Sequence, residues 1–220
     1  MFRGVTTSAP FLDGETMILS GNSQLKLVIY PIQWSESSSA LQLINWVAEV
    51  DGLSDAGEIN YGAKIDDAEQ VLKHFVRFDL PFLNHAQLIK STRHIFVWPM
   101  VDCDPLASWV QGRVALLGDA AHPMYPIGSN GGSTAIQDAA AIAELLSTAG
   151  SDGPGIEAAL VEYQQQRLPV VSDVQHACRL MLPEKVMDEV EHRVARGTTI
   201  PARYGENLQI ALRLAQKGRT

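Results

Sequence analysis

A short apolar run that ends in a Gly-Asp pair constrains the fold of this 220-residue chain most strongly. Residues 114–117 read Val-Ala-Leu-Leu, and such a run with a β-branched start predicts a strand that is buried on both faces. Gly118 then permits a sharp turn, and Asp119 follows at the carboxyl end of the strand. Because ligands collect at that end of the strands in open α/β sheets, we expect a binding site here.

A glycine-rich loop and the start of a helix follow this turn directly. Residues 126–133 read Pro-Ile-Gly-Ser-Asn-Gly-Gly-Ser, and an alanine-rich helix is predicted from about Thr134. Glycines let the backbone approach a flat ligand, and the unpaired N–H groups at a helix start favour a negatively charged oxygen. A Gly-Asp turn or a glycine loop alone usually only connects two elements, but both together at this spacing indicate a polar cofactor. The candidate cofactor-binding residues are Gly118, Asp119, Pro126, Gly128, Ser129, Asn130, Gly131 and Gly132.

These segments carry a resemblance to a known family. Residues 118–123, with Pro-Ile-Gly at 126–128 and Asp-Ala at 138–139, resemble the second flavin-binding motif of class A FAD-dependent aromatic monooxygenases, the group of the para-hydroxybenzoate and salicylate hydroxylases. Ser133 departs from the pattern, since the family usually has Asn there. The segments that resemble the substrate-domain strands of the phenazine-modifying members are 1–5, 11–14, 27–32, 45–47 and 98–102.

The resemblance implies FAD as cofactor, NADH or NADPH as reductant, and hydroxylation of a planar aromatic substrate by dioxygen through a flavin C4a-hydroperoxide. It implies that Asp119 holds the ribityl or pyrophosphate part of FAD and that Pro126 shapes the loop beside the reactive flavin carbon. The candidate substrate-binding residues are Arg3, Tyr30 and Trp98. Arg3 either neutralises a substrate carboxylate or a flavin-facing charge, or is an ordinary surface residue of its strand. No residue stands out as a catalytic acid or base.

The Gly-x-Gly-x-x-Gly fingerprint of a dinucleotide fold does not follow any predicted strand of this sequence. The resemblance therefore implies the carboxyl-terminal part of a monooxygenase, which is inactive alone. Two other interpretations stay open: one half of a split flavoprotein, or a non-catalytic remnant that binds an aromatic ligand or a partner chain. Without the amino-terminal FAD half, apolar surface on the strand and on helix residues 135–146 is expected to be exposed. The chain alone is therefore expected to be marginally folded or to self-associate.

The predicted fold class is α/β with α+β character. An antiparallel substrate-domain sheet with helices is expected over 1–107, the returning strand–loop–helix part of a Rossmann-like FAD domain over 108–182, and a helical or irregular tail over 183–220. In the first part, the predicted strands are 16–20, 25–32, 41–50 and 95–101, and the predicted helices are 66–76 and 85–90. In the second part, one helix carries Ile136, Ala139, Ala143 and Leu146 on one face, and a longer one from Ile156 is expected to kink or restart at Pro169.

Composition excludes several other function classes. A net charge of −8 without a run of Lys or Arg argues against a nucleic-acid surface. The only two cysteines, Cys103 and Cys178, are far apart, and no signal or membrane-spanning segment is found, so a cytoplasmic location is expected. His122 has no set of ligands at metal-binding spacing, so packing or capping near the loop is its expected role and no metal is predicted. The aromatic residues expected to offer flat apolar surface, although core packing is their commoner role, are Tyr30, Trp34, Trp46, Phe96 and Trp98.

Overall fold

The computed structural model describes residues 1–33, 41–52, 62–150, 152–180 and 184–196. The chain divides into two compact units, Met1–Met100 and Val101–Thr220. The sequence-based boundary at 107/108 stays a prediction. Trp34 and the end of the tail, from residue 197, lie outside the described residues.

The first unit is built on a six-stranded antiparallel sheet. Its strand order is β2-β3-β4-β1-β6-β5, so β1 lies in the interior of the sheet and pairs with both β4 and β6. The elements of this unit are β1 (Phe2–Ser8), β2 (Ile18–Gly21), β3 (Leu25–Pro31), β4 (Gln42–Val50), β5 (Ala63–Ile65), α1 (Glu69–Leu72), α2 (His85–Lys90) and β6 (Ile95–Val97).

One face of this sheet forms the core of the first unit. Burial alternates along β1, and the buried side chains face a cluster that includes Trp46 and residues of α1 and α2. Trp46 is fully buried, and its Nε1 donates a hydrogen bond of 2.9 Å to Thr92 Oγ1. A Cβ atom on Gly4 would lie 2.6 Å from Thr92 Cγ2 and 2.8 Å from Trp46 Cζ2. Position 4 therefore requires glycine, because the Trp46 indole packs directly against the backbone of β1 there.

The observed elements follow the predicted ones closely in most of this unit. The strands predicted at 25–32 and 41–50 correspond to β3 and β4, and α2 has its predicted bounds. The helix predicted over 66–76 is wrong, since only the four residues of α1 are α-helical. After α1 the hydrogen bonds change to the tighter three-residue spacing, as from Phe75 N to Leu72 O, and the Phe75 side chain packs in the core. The strand predicted at 95–101 ends at Val97, shortly before Pro99, which has no N–H group for the ladder.

Within its described residues, the second unit holds two short antiparallel strands, two 3₁₀ turns and three helices. The prediction that residues 114–117 form a doubly buried strand is wrong, since only Val114 and Ala115 are in strand conformation and Val114 is 67% exposed. In the described ranges, β8 pairs only with β7, and no parallel strand covers it. The elements are β7 (Val110–Gln111), β8 (Val114–Ala115), the turns Gly118–Ala120 and Ile127–Ser129, α3 (Asn130–Thr148), α4 (Gly153–Arg179) and α5 (Lys185–Ala195).

The helices of the second unit begin earlier than the sequence predicts. Helix α3 starts at Asn130 and not at Thr134, so the last glycines of the loop form its first turn. Helix α4 starts inside a glycine cluster because Asp152 Oδ1 accepts a hydrogen bond of 3.0 Å from Gly155 N. It continues through Pro169, so the predicted restart is not observed. In the part of the chain that the structure describes, no helix is long and apolar enough to cross a membrane.

Replacement of Gly4 by alanine is expected to destabilise the chain by about 1–3 kcal/mol, because the added methyl group overpacks the space between the Trp46 ring and Thr92. Val5→Ala provides the matched control, since Val5 follows on the same strand but is 42% exposed on the other face. Urea unfolding followed by tryptophan fluorescence measures both variants. Equal stability of Gly4→Ala and the wild type would contradict this packing.

Candidate functional site

The turn after β8 places Asp119 on the surface. Gly118 has a φ of +57°, and a Cβ atom there would lie 3.2 Å from Ala135 Cβ of α3. The Gly118 N–H is buried and donates a hydrogen bond of 3.2 Å to Asp138 Oδ2, so this N–H is already occupied by the protein. Asp119 itself is exposed, and its carboxylate is available to hydroxyl donors of a ligand.

The loop before α3 turns through two successive residues with positive φ. Gly128 has a φ of +69° and Ser129 has a φ of +56°, immediately after Pro126 begins the 3₁₀ turn. A non-glycine residue in this left-handed conformation costs roughly 1–2 kcal/mol, so the surrounding structure has to hold Ser129 in place. The result is an abrupt entry into α3.

The amino terminus of α3 is accessible. The Ser129 side chain makes no capping hydrogen bond to the described residues, and the first N–H groups of a helix have no partner within it. At Gly131 and Gly132, no neighbouring atom of the described chain lies within 4 Å of the position of an added Cβ. The sides of the first helical turn are therefore open at these two glycines, and unpaired N–H groups at a helix start favour a negatively charged oxygen.

The carboxylate of Asp138 lies behind this loop and is fully buried. Besides the Gly118 N–H, its Oδ2 lies 2.5 Å from His122 Nε2, and its Oδ1 accepts a hydrogen bond of 2.8 Å from Arg167 Nε of α4. One side chain of α3 thus connects the turn, the loop and α4. A buried carboxylate needs such partners because its desolvation is costly.

Asp138 is part of the motif that carries the resemblance, but neither it nor Arg167 was predicted to be a site residue. A signal was present, because helical spacing places Asp138 on the same face as Thr134, Ile142 and Leu145, which are all at least partly buried. The apolar face that the sequence analysis described instead, with Ile136, is exposed, and Ile136 itself is 73% accessible.

His122 packs near the loop. The residue is fully buried, and its ring centroid lies 5.4 Å from that of Trp109. Neither His122 Nδ1 nor Trp109 Nε1 has a hydrogen-bond partner among the described residues. The described ranges contain no group of three or more His, Cys, Asp or Glu side chains that could hold a metal ion.

Side chains from one face of α4 bind backbone carbonyl groups of the segment that leads to the site. Tyr163 Oη donates to Leu116 O at 3.1 Å, Gln175 Nε2 donates to Pro123 O at 3.2 Å, and Cys178 Sγ donates to Ile127 O at 3.4 Å. Burial raises the pKa of the Cys178 thiol, which keeps it protonated as a donor. Helix α4 therefore fixes the backbone without using the N–H groups at the start of α3.

The other predicted cofactor-binding residues lie within this loop. Pro126 and Ser129 are exposed on it, whereas the Asn130 side chain turns away from the helix terminus toward Ile127 O at 3.5 Å and Cys178 Sγ at 3.9 Å. Of the predicted residues, Asp119 and Gly132 are exposed, and Gly131 is half-buried.

The three predicted substrate-binding residues lie in the first unit, on the sheet face opposite the core. Arg3 is exposed and pairs with Phe96 across β1 and β6, and Trp98, two residues after Phe96, is 40% exposed. Tyr30 is on β3, three strand spacings from β6, which is about 14 Å. Tyr30 and Trp98 are therefore not neighbours on this face. Trp46, also considered as flat binding surface, is instead a core residue.

The amino-acid sequence is similar to a known protein family and to several enzymes. Residues 89–177 match the family described as FAD binding domain. The phenazine 1,6-dicarboxylic acid hydroxylase of Lysobacter antibioticus is 37% identical over 183 residues, which are 81% of this chain and 44% of the hydroxylase. The 6-hydroxynicotinate 3-monooxygenase of Bordetella bronchiseptica is 39% identical over 88 residues, which are 40% of this chain and 22% of that enzyme.

Solved structures with a similar fold include flavin-dependent hydroxylases. A salicylate hydroxylase solved as a substrate complex has a TM-score of 0.60 at 21% identity, over 97% of this chain and 51% of that chain. HpxO of Klebsiella pneumoniae, complexed with FAD and uric acid, has a TM-score of 0.56 at 22% identity, over 82% of this chain and 42% of that chain. This likeness shows the fold, and the mixed α/β fold class is confirmed. The chain spans about half or less of the length of these relatives, and the predicted resemblance is confirmed.

Replacement of Asp138 by asparagine is expected to destabilise the chain by about 3–5 kcal/mol, because the Arg167 guanidinium loses its buried anionic partner. The matched control is Asp119→Asn on the same turn, which changes stability by no more than about 0.5 kcal/mol because Asp119 is exposed. Chemical denaturation measures both. Similar losses in the two variants would contradict a central role for Asp138.

Tyr163→Phe is expected to remove about 1 kcal/mol of stability at neutral pH, because the hydrogen bond to Leu116 O is lost. Burial, with a smaller contribution from the nearby Asp138 charge, raises the pKa of Tyr163 from 10.0 to about 12. The folded state therefore holds the phenol proton more tightly than the unfolded state does. The stability that this protonated phenol contributes is complete below pH 10 and is lost as the pH rises toward 12.

The difference in unfolding free energy between wild type and Tyr163→Phe should accordingly shrink as the pH is raised through this window. Urea unfolding at a series of alkaline pH values measures it. A difference that stays constant with pH would contradict burial of the phenol.

Proposed function

We propose that this chain, which belongs to the FAD-binding aromatic monooxygenase family, contributes the substrate-binding sheet and the second flavin-binding segment of an enzyme that hydroxylates a planar aromatic molecule. The observation that carries this proposal is the accessible start of α3. Its first N–H groups have no side-chain cap among the described residues, and both glycines of its first turn face open space.

The residues of the second unit fit FAD. The N–H groups of Gly131 and Gly132 would bind an electron-rich oxygen at the pyrimidine edge of the flavin ring, and the absence of side chains there lets the ring approach. Asp119 would accept hydrogen bonds from ribityl hydroxyls, and Pro126, Gly128 and Ser129 would shape the loop beside the ring. When bound, FAD would accept hydride from NADH or NADPH and activate dioxygen.

The first unit would bind the substrate on the face that carries Arg3. The relatives named above act on a phenazine dicarboxylic acid and on 6-hydroxynicotinate, which are planar aromatic acids. An arginine beside Phe96 suits such a molecule, since the guanidinium pairs with a carboxylate and the ring provides apolar contact. The protein's part in the reaction is to orient the aromatic ring and to exclude water.

A dinucleotide-binding half would complete the second unit, either within the same polypeptide or as a separate chain. Its strands and helices would cover apolar side chains that are exposed here. Val114 is 67% exposed, Ile136 is 73% exposed and Leu117 is 41% exposed. A surface of this kind favours association with another protein surface, so we expect the chain without that half to be inactive and to self-associate.

An FAD titration of the 220-residue chain tests the flavin site. FAD fluorescence is expected to be quenched on binding, and Gly132→Ala is expected to weaken binding by about tenfold, which corresponds to about 1.4 kcal/mol. The same variant should keep or raise the melting temperature, because alanine is the better helix former and meets no neighbouring atom.

Gly153→Ala is the matched control, since Gly153 also opens a helix and also has no described atom within 4 Å of an added Cβ. It should leave FAD affinity unchanged. Equal weakening by both variants, or equal affinity of Gly132→Ala and the wild type, would contradict the placement of the flavin at α3. No binding by the wild type would contradict flavin binding by this chain alone.

A further inference from the structure

Asn45 interrupts an apolar run at the centre of β4. Residues 43–48 of β4 read Leu-Ile-Asn-Trp-Val-Ala. Asn45 lies directly opposite Val5 of β1 and Tyr30 of β3, so its side chain is on the same face as theirs and on the opposite face from the Trp46 core. That face also carries Arg3.

The Nδ2 donor of Asn45 is buried without an acceptor among the described residues. The residue is only 4% exposed, and no described group accepts a hydrogen bond from its Nδ2. On the same strands, Lys26 Nζ and Glu49 Oε2 form an ion pair of 3.0 Å. Gln42, on the core face, donates a hydrogen bond of 2.9 Å from Nε2 to Gly14 O, although its Oε1 has no partner among the described residues. A buried donor without an acceptor is destabilising, so Asn45 costs stability that an apolar residue would not.

We propose that Asn45 determines substrate specificity by donating a hydrogen bond from Nδ2 to an acceptor atom of a planar aromatic acid whose carboxylate pairs with Arg3. This inference rests on the proposed function. Arg3 lies opposite Val47, two residues from Asn45 along β4, which makes Arg3 and Asn45 diagonal neighbours about 7–8 Å apart. Val5 and Val47 complete this group of four with apolar surface for the ring.

The expected ligand therefore has two polar ends on one flat ring system. A carboxylate binds at Arg3, and a ring nitrogen or hydroxyl oxygen on the far side accepts from Asn45. Aromatic acids without that second acceptor leave the amide unpaired and are rejected, because a buried donor that loses its partner weakens binding.

A matched pair of ligands tests this inference. Quinoline-6-carboxylate has a ring nitrogen across from its carboxylate, and naphthalene-2-carboxylate has the same shape with a C–H group instead. Both are titrated into the full 220-residue chain by isothermal titration calorimetry. We expect the wild type to prefer the quinoline by about tenfold, a preference worth about 1.4 kcal/mol.

Asn45→Leu should abolish this preference and raise the melting temperature, because it removes the unpaired amide from a buried position. Gln42→Leu is the control on the core face of the same strand. It should keep the ligand preference, because Gln42 lies on the core face and not on the face of Arg3 and Asn45.

If Asn45→Leu still prefers the quinoline acid over the naphthalene acid, the inference is overturned. If that variant also melts at a lower temperature than the wild type, Asn45 has a structural role only. Failure of the wild type to bind either acid would also overturn it. The FAD titration is independent of both results, so the proposed flavin function stands or falls separately.

Discussion

The second unit depends on one buried carboxylate. Asp138 has no contact with water, so its charge has to be balanced inside the protein, and Arg167, His122 and the Gly118 N–H are the groups that do so. These partners come from α4, from the loop and from the turn after β8. The positions of helix α4, the loop and the turn relative to one another are therefore set by the hydrogen bonds that the Asp138 carboxylate accepts. The apolar contacts of Trp109 and Tyr163 fill the remaining space but do not fix directions in the same way.

This arrangement separates the groups that build the site from those that remain for a ligand. Helix α4 binds the carbonyl oxygens of Leu116, Pro123 and Ile127, and Asp138 binds the Gly118 N–H. The N–H groups at the start of α3 and the Asp119 carboxylate are left on the surface. A loop held in this manner presents its donors in a fixed geometry, so a cofactor does not have to order them on binding.

Periodicity and turn residues were sufficient to predict β3, β4, α2 and the glycine loop, because each depends on local preferences. The strand at 114–117 was wrong because its burial requires neighbours that the described chain does not provide. Asp138 and Asn45 lie in segments that carry the resemblance, but no role was predicted for either residue, for a related reason. Both are polar residues within apolar patterns, and only the packed structure reveals whether such a residue is buried, and whether it is paired, as Asp138 is, or unpaired, as Asn45 is.

The order of strands in the first unit has a consequence for how the chain folds. β3 and β4 are close in sequence and pair antiparallel, so they can associate early. β1 instead pairs with residues 42–48 and 95–97, although it is the first strand made. We expect β1 to remain unpaired on its β6 side until almost the whole unit has been synthesised. The sheet is therefore completed at β1, and this last pairing joins residues 95–97 to a strand at the start of the chain.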